Sequence, residues 1–175
     1  MFHTMSFASV RDLSEEGNKG KLLDDLENIY RRTRSVSNEN SLIDTGPHFE
    51  KQLKELLSGF NDGKTNVLQQ GIDAMGWMDL NEATKVTVYR VIQELLTNMK
   101  KHSECNRAIF VFGRVARALE ITYSDDGVGM PAGEQKARNG LQNVENRIHA
   151  LNGTFTFENE SGKGFRFSFT IPIKK

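Results

Sequence analysis

The stretch from residue 88 to residue 103, VYRVIQELLTNMKKHS, constrains the fold most, because it predicts one helix with two different sides. The apolar side recurs at steps of three and four, as in a helix packed on a core, and comprises Val88, Tyr89, Val91, Ile92, Leu95, Leu96 and Met99. On the other side Glu94 and Asn98 lie one turn apart, and Lys101 and His102 follow one turn later. Such a polar row is most often a solvated helix surface, so it does not establish a binding site alone.

Three glycine-containing segments follow this helix and strengthen the case for a site. Residues 119–124 alternate between apolar and polar side chains, which predicts a half-buried strand running into residues 125–129, DDGVG. A second segment, residues 139–141 (NGL), opens another helical stretch, and a third, residues 162–164 (GKG), leads into a final strand. Glycines at this spacing let the backbone turn sharply and approach a ligand. An aspartate at the end of a strand can accept a hydrogen bond from an exocyclic amine such as that of adenine.

Apolar segments elsewhere in the chain predict a sheet. Residues 108–113, AIFVFG, form a continuous apolar run, which is typical of a buried central strand, and residues 117–124 are expected to pair with it as a hairpin. Aromatic and polar residues alternate over 154–157 and 165–171, which predicts two final antiparallel strands. The expected fold class is therefore α+β, a two-layer sandwich of a mixed, mostly antiparallel sheet with helices on one face, preceded by an N-terminal helical segment.

Local signals indicate where further elements begin. Residues 44–47, DTGP, combine a capping side chain with a proline and are expected to start a helix, with His48 as an exposed residue at this boundary. Residues 64–72 predict a weakly patterned strand, and Asn81 is expected to cap the central helix. Residues 130–139, MPAGEQKARN, have no apolar periodicity and are interpreted as a mobile loop before a helix over 140–151.

Composition excludes several classes of protein. The 23 basic residues balance the 23 acidic residues, so no overall charge favours nucleic acid or an acidic membrane surface. The single cysteine, Cys105, rules out an internal disulfide and suits a reducing compartment. It lacks neighbours at metal-ligand spacing, so it is interpreted as a small loop residue. No apolar run approaches the roughly 20 residues of a membrane-spanning helix, and no signal peptide is visible.

The N-terminal part carries a second helical pattern. Within residues 21–38, Leu22, Leu26, Ile29, Thr33 and Val36 follow one another at steps of four and three. This apolar seam suits pairing with another helix, and packing on the core of the same domain explains it equally well. His3 precedes this region, with two residues before it and Thr4 after it.

These motifs together resemble the GHKL ATPase superfamily, which has the Bergerat fold, and within it the ATP-binding catalytic domain of sensor histidine kinases. Residues 94–98, ELLTN, with Lys101 and His102 look like the N box, and residues 125–129 look like the first glycine box. Residues 140–144, GLQNV, with Arg147 are similar to the second glycine box, and residues 162–164 to the third. The resemblance is clear over about residues 80–173 and weaker through the N-terminal helices.

The resemblance implies a division of the chain and an activity. Residues 1–40 would be the remnant of the dimerisation and histidine-phosphotransfer helices, and residues 41–175 the ATP-binding catalytic domain. The enzyme would transfer the γ-phosphoryl group of Mg-ATP to a histidine, from which a response regulator takes it. His3 lacks the acidic residue that follows the acceptor in this family, so the acceptor is expected upstream of residue 1. The intact protein is expected to be a homodimer through its N-terminal helices, located in the cytoplasm or forming the cytoplasmic part of a membrane-anchored receptor. Contact of this chain with nucleic acid or membrane is not expected.

The resemblance also assigns roles around the nucleotide. Asn98 would give its carbonyl oxygen to Mg²⁺, which prefers oxygen ligands and keeps several waters. Glu94 would orient or deprotonate a nucleophile or fix a metal-bound water, and Lys101 would supply a positive charge for phosphate. His102 either contacts the nucleotide or caps the end of the helix. Asp125 would read the adenine.

The remaining assignments concern the glycine boxes. Gly127, Gly129, Gly162 and Gly164 would keep the pocket walls free of side chains. Gly140 and Leu141 would offer backbone N–H groups at a helix start as a phosphate cradle. Residues 130–139 would form the ATP lid.

Two positions depart from the family pattern. Asp126 stands where many relatives have asparagine, and Phe165 stands where relatives have threonine, which removes a hydroxyl near the pocket. Two other functions therefore stay open. One is another GHKL enzyme, such as an anti-sigma-factor serine kinase. The other is a nucleotide-binding or dimerising module without catalysis.

Overall fold

The structure is a computed structural model that describes residues 42–129, 135–159 and 164–173, with the side chains of 135–139 and 159 left out. The predicted N-terminal helical segment, its apolar seam, His3 and the domain boundary at residue 40 lie outside the described residues. Gly162 lies outside them as well. Residues from Ile43 onward belong to one compact unit.

Three helices and five strands make up the described part of the chain. The helices are α1 (Phe49–Ser58), α2 (Glu82–Asn98) and α3 (Gln135–Ala150). The strands are β1 (Asn66–Gln70), β2 (Arg107–Val115), β3 (Ala118–Asp125), β4 (Thr154–Asn159) and β5 (Phe165–Pro172). Two short 3₁₀ turns, Ile72–Ala74 and Trp77–Asp79, connect β1 to α2, and a π-helical turn, Met99–Ser103, extends α2. None of these helices is long and apolar enough to cross a membrane.

The strands form one sheet in the order β1-β2-β3-β5-β4. Only the β1–β2 pair in this sheet is parallel, and the other three pairs are antiparallel. The predicted hairpin is present, with Phe110 opposite Tyr123, and so is the predicted pair of final strands. The α+β fold class and the mixed, mostly antiparallel sheet are therefore confirmed.

The core lies between one face of the sheet and the helices. Along β3 and β5 alternate side chains are buried, which leaves the polar residues between them on the other face. The predicted inward side of α2 packs on this core, since Val88, Val91, Ile92 and Leu96 are fully buried. Trp77 is also a core residue, and its indole N–H donates to the carbonyl oxygen of Ile72 at 2.8 Å.

The outer face of β2 differs from the sequence prediction. Phe110 and Phe112 are buried as expected, but Val111 is 41% exposed, and Leu68 on the neighbouring strand β1 is 49% exposed. The continuous apolar run therefore belongs to a strand with one buried face, not two. Periodicity alone could not show that one face of β2 is exposed, because apolar side chains also occur on solvated faces and look the same in the sequence.

The first described helix begins later than the sequence predicted. The Asp44 carboxylate accepts a hydrogen bond from the Gly46 N–H at 2.7 Å, so it closes a local turn instead of capping a helix. The helix begins at Phe49, and its N-cap residue is His48, which is exposed as predicted and makes no side-chain cap bond. The predicted strand over 64–72 is shorter as well and occupies Asn66–Gln70.

The predicted cap of the central helix is confirmed. Asn81 has an extended backbone, and its side-chain oxygen accepts a hydrogen bond from the Thr84 N–H at 2.8 Å. This bond satisfies one of the four N–H groups that a helix start leaves without a partner.

We expect Asn81→Ala to lower the free energy of unfolding by about 1 kcal/mol, because it removes this capping bond. Asn81→Asp keeps an acceptor and adds a favourable charge at the helix N-terminus, so it should match the parent chain. Urea denaturation of the three proteins measures both effects. Equal losses for the alanine and aspartate variants would contradict the capping role.

Candidate functional site

A cleft opens at the C-terminal end of α2, beside the end of β3. It encloses about 480 Å³ free of protein atoms, part of it open to solvent. Five predicted site residues line it, namely Asn98, His102, Asp125, Gly129 and Leu141. The rest of the lining consists of Leu95, Met99, Ser103, Tyr123 and Phe165. Mostly apolar walls with a few converging polar groups are typical of a site for a small molecule.

A π-helical turn shapes the α2 side of the cleft. From Met99 to Ser103 the helix widens, and Glu104, in the left-handed backbone region with φ of 51°, ends it. Asn98 and His102 line the cleft, but Lys101 is exposed and is not among the lining residues. The structure therefore does not bring Lys101 to the other predicted residues. Single π turns often occur at functional sites, and nothing in the sequence indicated this one.

The carboxylate of Asp125 is held by three hydrogen bonds. Its Oδ1 accepts from the backbone N–H of Gly127 at 2.9 Å and from that of Phe165 at 3.4 Å. Its Oδ2 accepts from the hydroxyl of Tyr123 at 2.6 Å. The predicted adenine-reading side chain is thus fixed in place by its own turn, by the start of β5 and by a neighbour on β3.

Sequence reasoning missed Tyr123, which it treated as an ordinary inward residue of the strand. The sequence did indicate that Tyr123 could contact Asp125, because side chains two residues apart lie on the same face of a strand. Burial, together with the nearby Asp125, raises the pKa of the Tyr123 hydroxyl. The phenol therefore stays protonated at neutral pH and can donate to the carboxylate.

Asp126 does not line the cleft. Its Oδ1 accepts hydrogen bonds from the backbone N–H groups of Asn106, at 2.9 Å, and Arg107, at 2.8 Å. It therefore ties the glycine turn to the start of β2. Asp126 therefore has a structural role, but both bonds go to one oxygen, which an asparagine side chain also offers, so they do not explain the departure from asparagine.

Two predicted glycines allow backbone segments to touch. A Cβ on Gly127 would lie 2.1 Å from the carbonyl oxygen of Ser103, and a Cβ on Gly164 would lie 2.0 Å from that of Asp125. Gly164 also has a φ of +82°, a conformation that favours glycine. The close approach that these glycines permit is between segments of the chain, at the edge of the cleft.

Gly140 has a different role from the predicted one. Helix α3 begins at Gln135, so the N–H groups of Gly140 and Leu141 lie inside the helix and cannot form a phosphate cradle at its start. The predicted phosphate cradle is therefore wrong, and so is the predicted loop over 135–139, which lies in the helix, whereas residues 130–134 lie outside the described residues. The early start is consistent with residues 135–138, QKAR, all of which favour helix.

Gly140 instead brings α3 against the polar side of α2. A Cβ at this position would lie 2.3 Å from Oε1 of Glu94 and 3.3 Å from Nδ2 of Asn98. Leu141 contributes its buried side chain to the cleft wall. Glu94 is half-buried, lies one turn before Asn98 and is not among the residues that line the cleft.

The polar residues near the cleft fit a magnesium ion that is shared with phosphate. Among the described residues no cluster of three His, Cys, Asp or Glu side chains could hold a metal ion by itself. Asn98, however, presents a carboxamide in the cleft, and Glu94 lies beside it. Magnesium in nucleotide sites takes few protein oxygens and completes its shell with water and phosphate.

We expect Gly164→Ala to be strongly destabilising, because it combines an unfavourable φ with a clash against the Asp125 carbonyl. Gly63→Ala is a matched control, since Gly63 has φ of +83° but no heavy atom within 4 Å of the position that a Cβ would take. The control should cost about 1 kcal/mol, and Gly164→Ala about 1–3 kcal/mol more. Thermal unfolding monitored by circular dichroism compares them. Similar losses would show that Asp125 can move away at little cost.

The raised pKa of Tyr123 predicts a pH dependence of stability. The unfolded chain loses the tyrosine proton near pH 10, before the folded chain does. The stabilisation of the folded chain by the protonated Tyr123 hydroxyl is therefore complete below about pH 10, and it is lost as the pH rises above that value. We expect the stability difference between the parent chain and Tyr123→Phe to fall by up to about 1.4 kcal/mol per pH unit above pH 10. Urea denaturation between pH 8 and about pH 11 measures it, and a constant difference would contradict the prediction.

Comparison with known proteins shows the family of this chain. Residues 83–175 match the family described as histidine kinase-, DNA gyrase B- and HSP90-like ATPase. The sensor histidine kinase ComP of Bacillus subtilis is 31% identical over 93 residues, which cover 51% of this chain and 12% of ComP. The sensor histidine kinase LnrJ of Bacillus subtilis is 30% identical over 158 residues, which cover 87% of this chain and 36% of LnrJ. The chain therefore spans well under half the length of these relatives.

Solved structures share the fold. The blue-light activated histidine kinase of Erythrobacter litoralis EL346 has a TM-score of 0.59 at 18% identity, over 74% of this chain and 42% of that one. The histidine kinase AdeS of Acinetobacter baumannii has a TM-score of 0.54 at 19% identity, over 90% of this chain and 82% of that one. The family match covers more than half of the chain and includes all ten residues that line the cleft. The chain belongs to the histidine kinase-, DNA gyrase B- and HSP90-like ATPase family.

Proposed function

We propose that this chain is the ATP-binding catalytic domain of a two-component sensor histidine kinase. The observation that carries the proposal is the convergence of Asp125, from the end of β3, and Asn98, from the end of α2, on one cleft. The carboxylate of Asp125 is a hydrogen-bond acceptor suited to the amine of a purine. The carboxamide of Asn98 offers a neutral oxygen suited to a cation that is bound to phosphate. The named relatives ComP and LnrJ are sensor histidine kinases, which supports this class of enzyme.

Different residues of the cleft contact the base and the phosphates of the nucleotide. Asp125 accepts a hydrogen bond from the adenine amine, while Leu95, Leu141 and Phe165 exclude water from the base. Asn98 would give an oxygen to the metal and Glu94 would fix a water bound to it, and the metal would neutralise charge on the phosphates. His102 lies four residues beyond Asn98 in the cleft and contacts the nucleotide. Phosphoryl transfer depends mostly on positioning and charge neutralisation, so this set of groups is sufficient.

Glu94 is the proposed catalytic residue. Its half-buried carboxylate lies next to Asn98. In this place it can orient the attacking nitrogen of an acceptor histidine or accept its proton. Lys101 is exposed, so its role toward phosphate depends on its long side chain bending around the π-helical turn.

The partners follow from the same proposal. A histidine accepts the γ-phosphoryl group, a response regulator receives it, and the intact protein is a homodimer through its N-terminal helices. We place the protein in the cytoplasm or in the cytoplasmic part of a membrane-anchored receptor. Acid-labile phosphate on the protein that accepts the radiolabel from ATP supports a histidine kinase. Acid-stable phosphoserine would support the anti-sigma-factor serine kinase instead.

We expect Asn98→Ala to remove the magnesium dependence of nucleotide binding, because it deletes the proposed metal ligand. Isothermal titration calorimetry of ATP with magnesium and with EDTA should show tighter binding with magnesium for the parent chain only. Asn146→Ala, an exposed position on α3, is the matched control and should behave like the parent. A parent chain that binds ATP equally well with and without magnesium would favour a nucleotide-binding module without catalysis.

A further inference from the structure

The base end of the cleft contains a tyrosine whose position is set by its surroundings. Tyr123 is 1% exposed, and its ring packs against Phe110, at a centroid distance of 4.9 Å, and against Phe165, at 6.2 Å. Its hydroxyl is the one polar atom of the side chain and is directed to Oδ2 of Asp125. The core therefore holds a donor against the residue that is proposed to read the base.

The hydrogen bonds within the protein occupy most of the acceptor positions of the Asp125 carboxylate. A carboxylate offers about four acceptor positions. The N–H groups of Gly127 and Phe165 take two on Oδ1, and the hydroxyl of Tyr123 takes one on Oδ2. In this arrangement one acceptor position remains on Oδ2, beside a cleft that both Asp125 and Tyr123 line.

We propose that Tyr123 is a positioning residue, which fixes Asp125 so that its remaining acceptor reads the exocyclic amine of adenine. This inference rests on the proposed function and deepens it, since it makes Tyr123 a determinant of base selectivity. A purine with a carbonyl at that place presents oxygen lone pairs to the carboxylate and is rejected. A purine without any substituent there loses the bond.

The physical reason is preorganisation. The torsion that turns a carboxylate about its Cβ–Cγ bond is broad, so an unrestrained Asp125 would lose freedom when the base binds. The hydroxyl of Tyr123 removes that freedom beforehand, which increases the contribution of the contact with the amine. Because the hydroxyl donates its hydrogen to Asp125, it has none left for a carbonyl oxygen of a ligand.

Tyr123→Phe tests the proposal with little risk to the fold. The phenyl ring keeps its contacts with Phe110 and Phe165, and Asp125 keeps its two backbone donors. Binding of ATP and of purine riboside 5′-triphosphate, which lacks the amine, is measured by calorimetry with magnesium. The two proteins and two nucleotides form a cycle that isolates the coupling between the hydroxyl and the amine.

We expect the parent chain to prefer ATP over purine riboside triphosphate by about tenfold. In Tyr123→Phe the affinity for ATP should fall about three- to tenfold, while that for purine riboside triphosphate stays within about twofold. Thr122→Val is the matched control on the same strand, because its hydroxyl bonds Ser168 at 3.0 Å on the other face of the sheet. It should leave both affinities unchanged.

Each other outcome is decisive. Equal losses for both nucleotides, or no loss for either, would overturn the proposal and leave Tyr123 as a core residue only. A parent chain that binds ATP and the amine-free nucleotide equally would overturn it as well, although ATP binding itself would stand. Absence of binding to either nucleotide would overturn the proposed function, and the inference with it.

Discussion

The cleft depends on one carboxylate that joins three parts of the chain. Asp125 is the last residue of β3. Its carboxylate accepts a hydrogen bond from the N–H of Gly127, in the turn that follows, and one from the N–H of Phe165, at the start of β5. The same turn reaches the end of the α2 extension, since the N–H of Val128 donates to the carbonyl oxygen of Ser103 at 2.8 Å. A ligand that contacts Asp125 therefore meets a group whose place is set by strand, turn and helix together.

This arrangement explains why glycine is needed around the cleft. At Gly127 and at Gly164 the backbone approaches another carbonyl oxygen so closely that no Cβ fits, and at Gly140 a helix approaches the side chain of Glu94. In each case the glycine allows two segments of the protein to approach each other near the cleft. A glycine pattern that suggests phosphate contact is here, at these three positions, a requirement of packing.

Periodicity predicted the parts of the fold that depend on burial, namely the inward side of α2, the β2–β3 hairpin and the two final strands, because an apolar stripe has to face a core. It also placed Asn98 on the polar side of the helix and Asp125 at the end of a strand, and both line one cleft. It could not predict the π-helical turn after Asn98, because an α-helix and a π turn differ in hydrogen bonding and not in residue pattern.

Single polar residues were harder to predict, because their roles depend on which partner they bond. Asp44 can cap a helix or close a turn, and in the structure it bonds the N–H of Gly46 and closes a turn. Asp126 depends on partners 19 and 20 residues away, whereas the contact of Tyr123 lies on one strand face and could have been found from the sequence.

The two ends of the cleft differ in how completely the described residues build them. At the end where we propose that the base binds, Asp125 is fixed by three hydrogen bonds, and apolar side chains of α2, α3 and β5 line the cleft. At the end where we propose that the phosphates bind, the described residues offer Asn98, His102 and the nearby Glu94, while Lys101 is exposed. Burial of an aromatic base against apolar walls gives affinity that does not depend on charge. Under the proposed function, core elements recognise the base and polar residues near the end of α2 contact the phosphates, which suits an enzyme that keeps its nucleotide while the γ-phosphoryl group leaves.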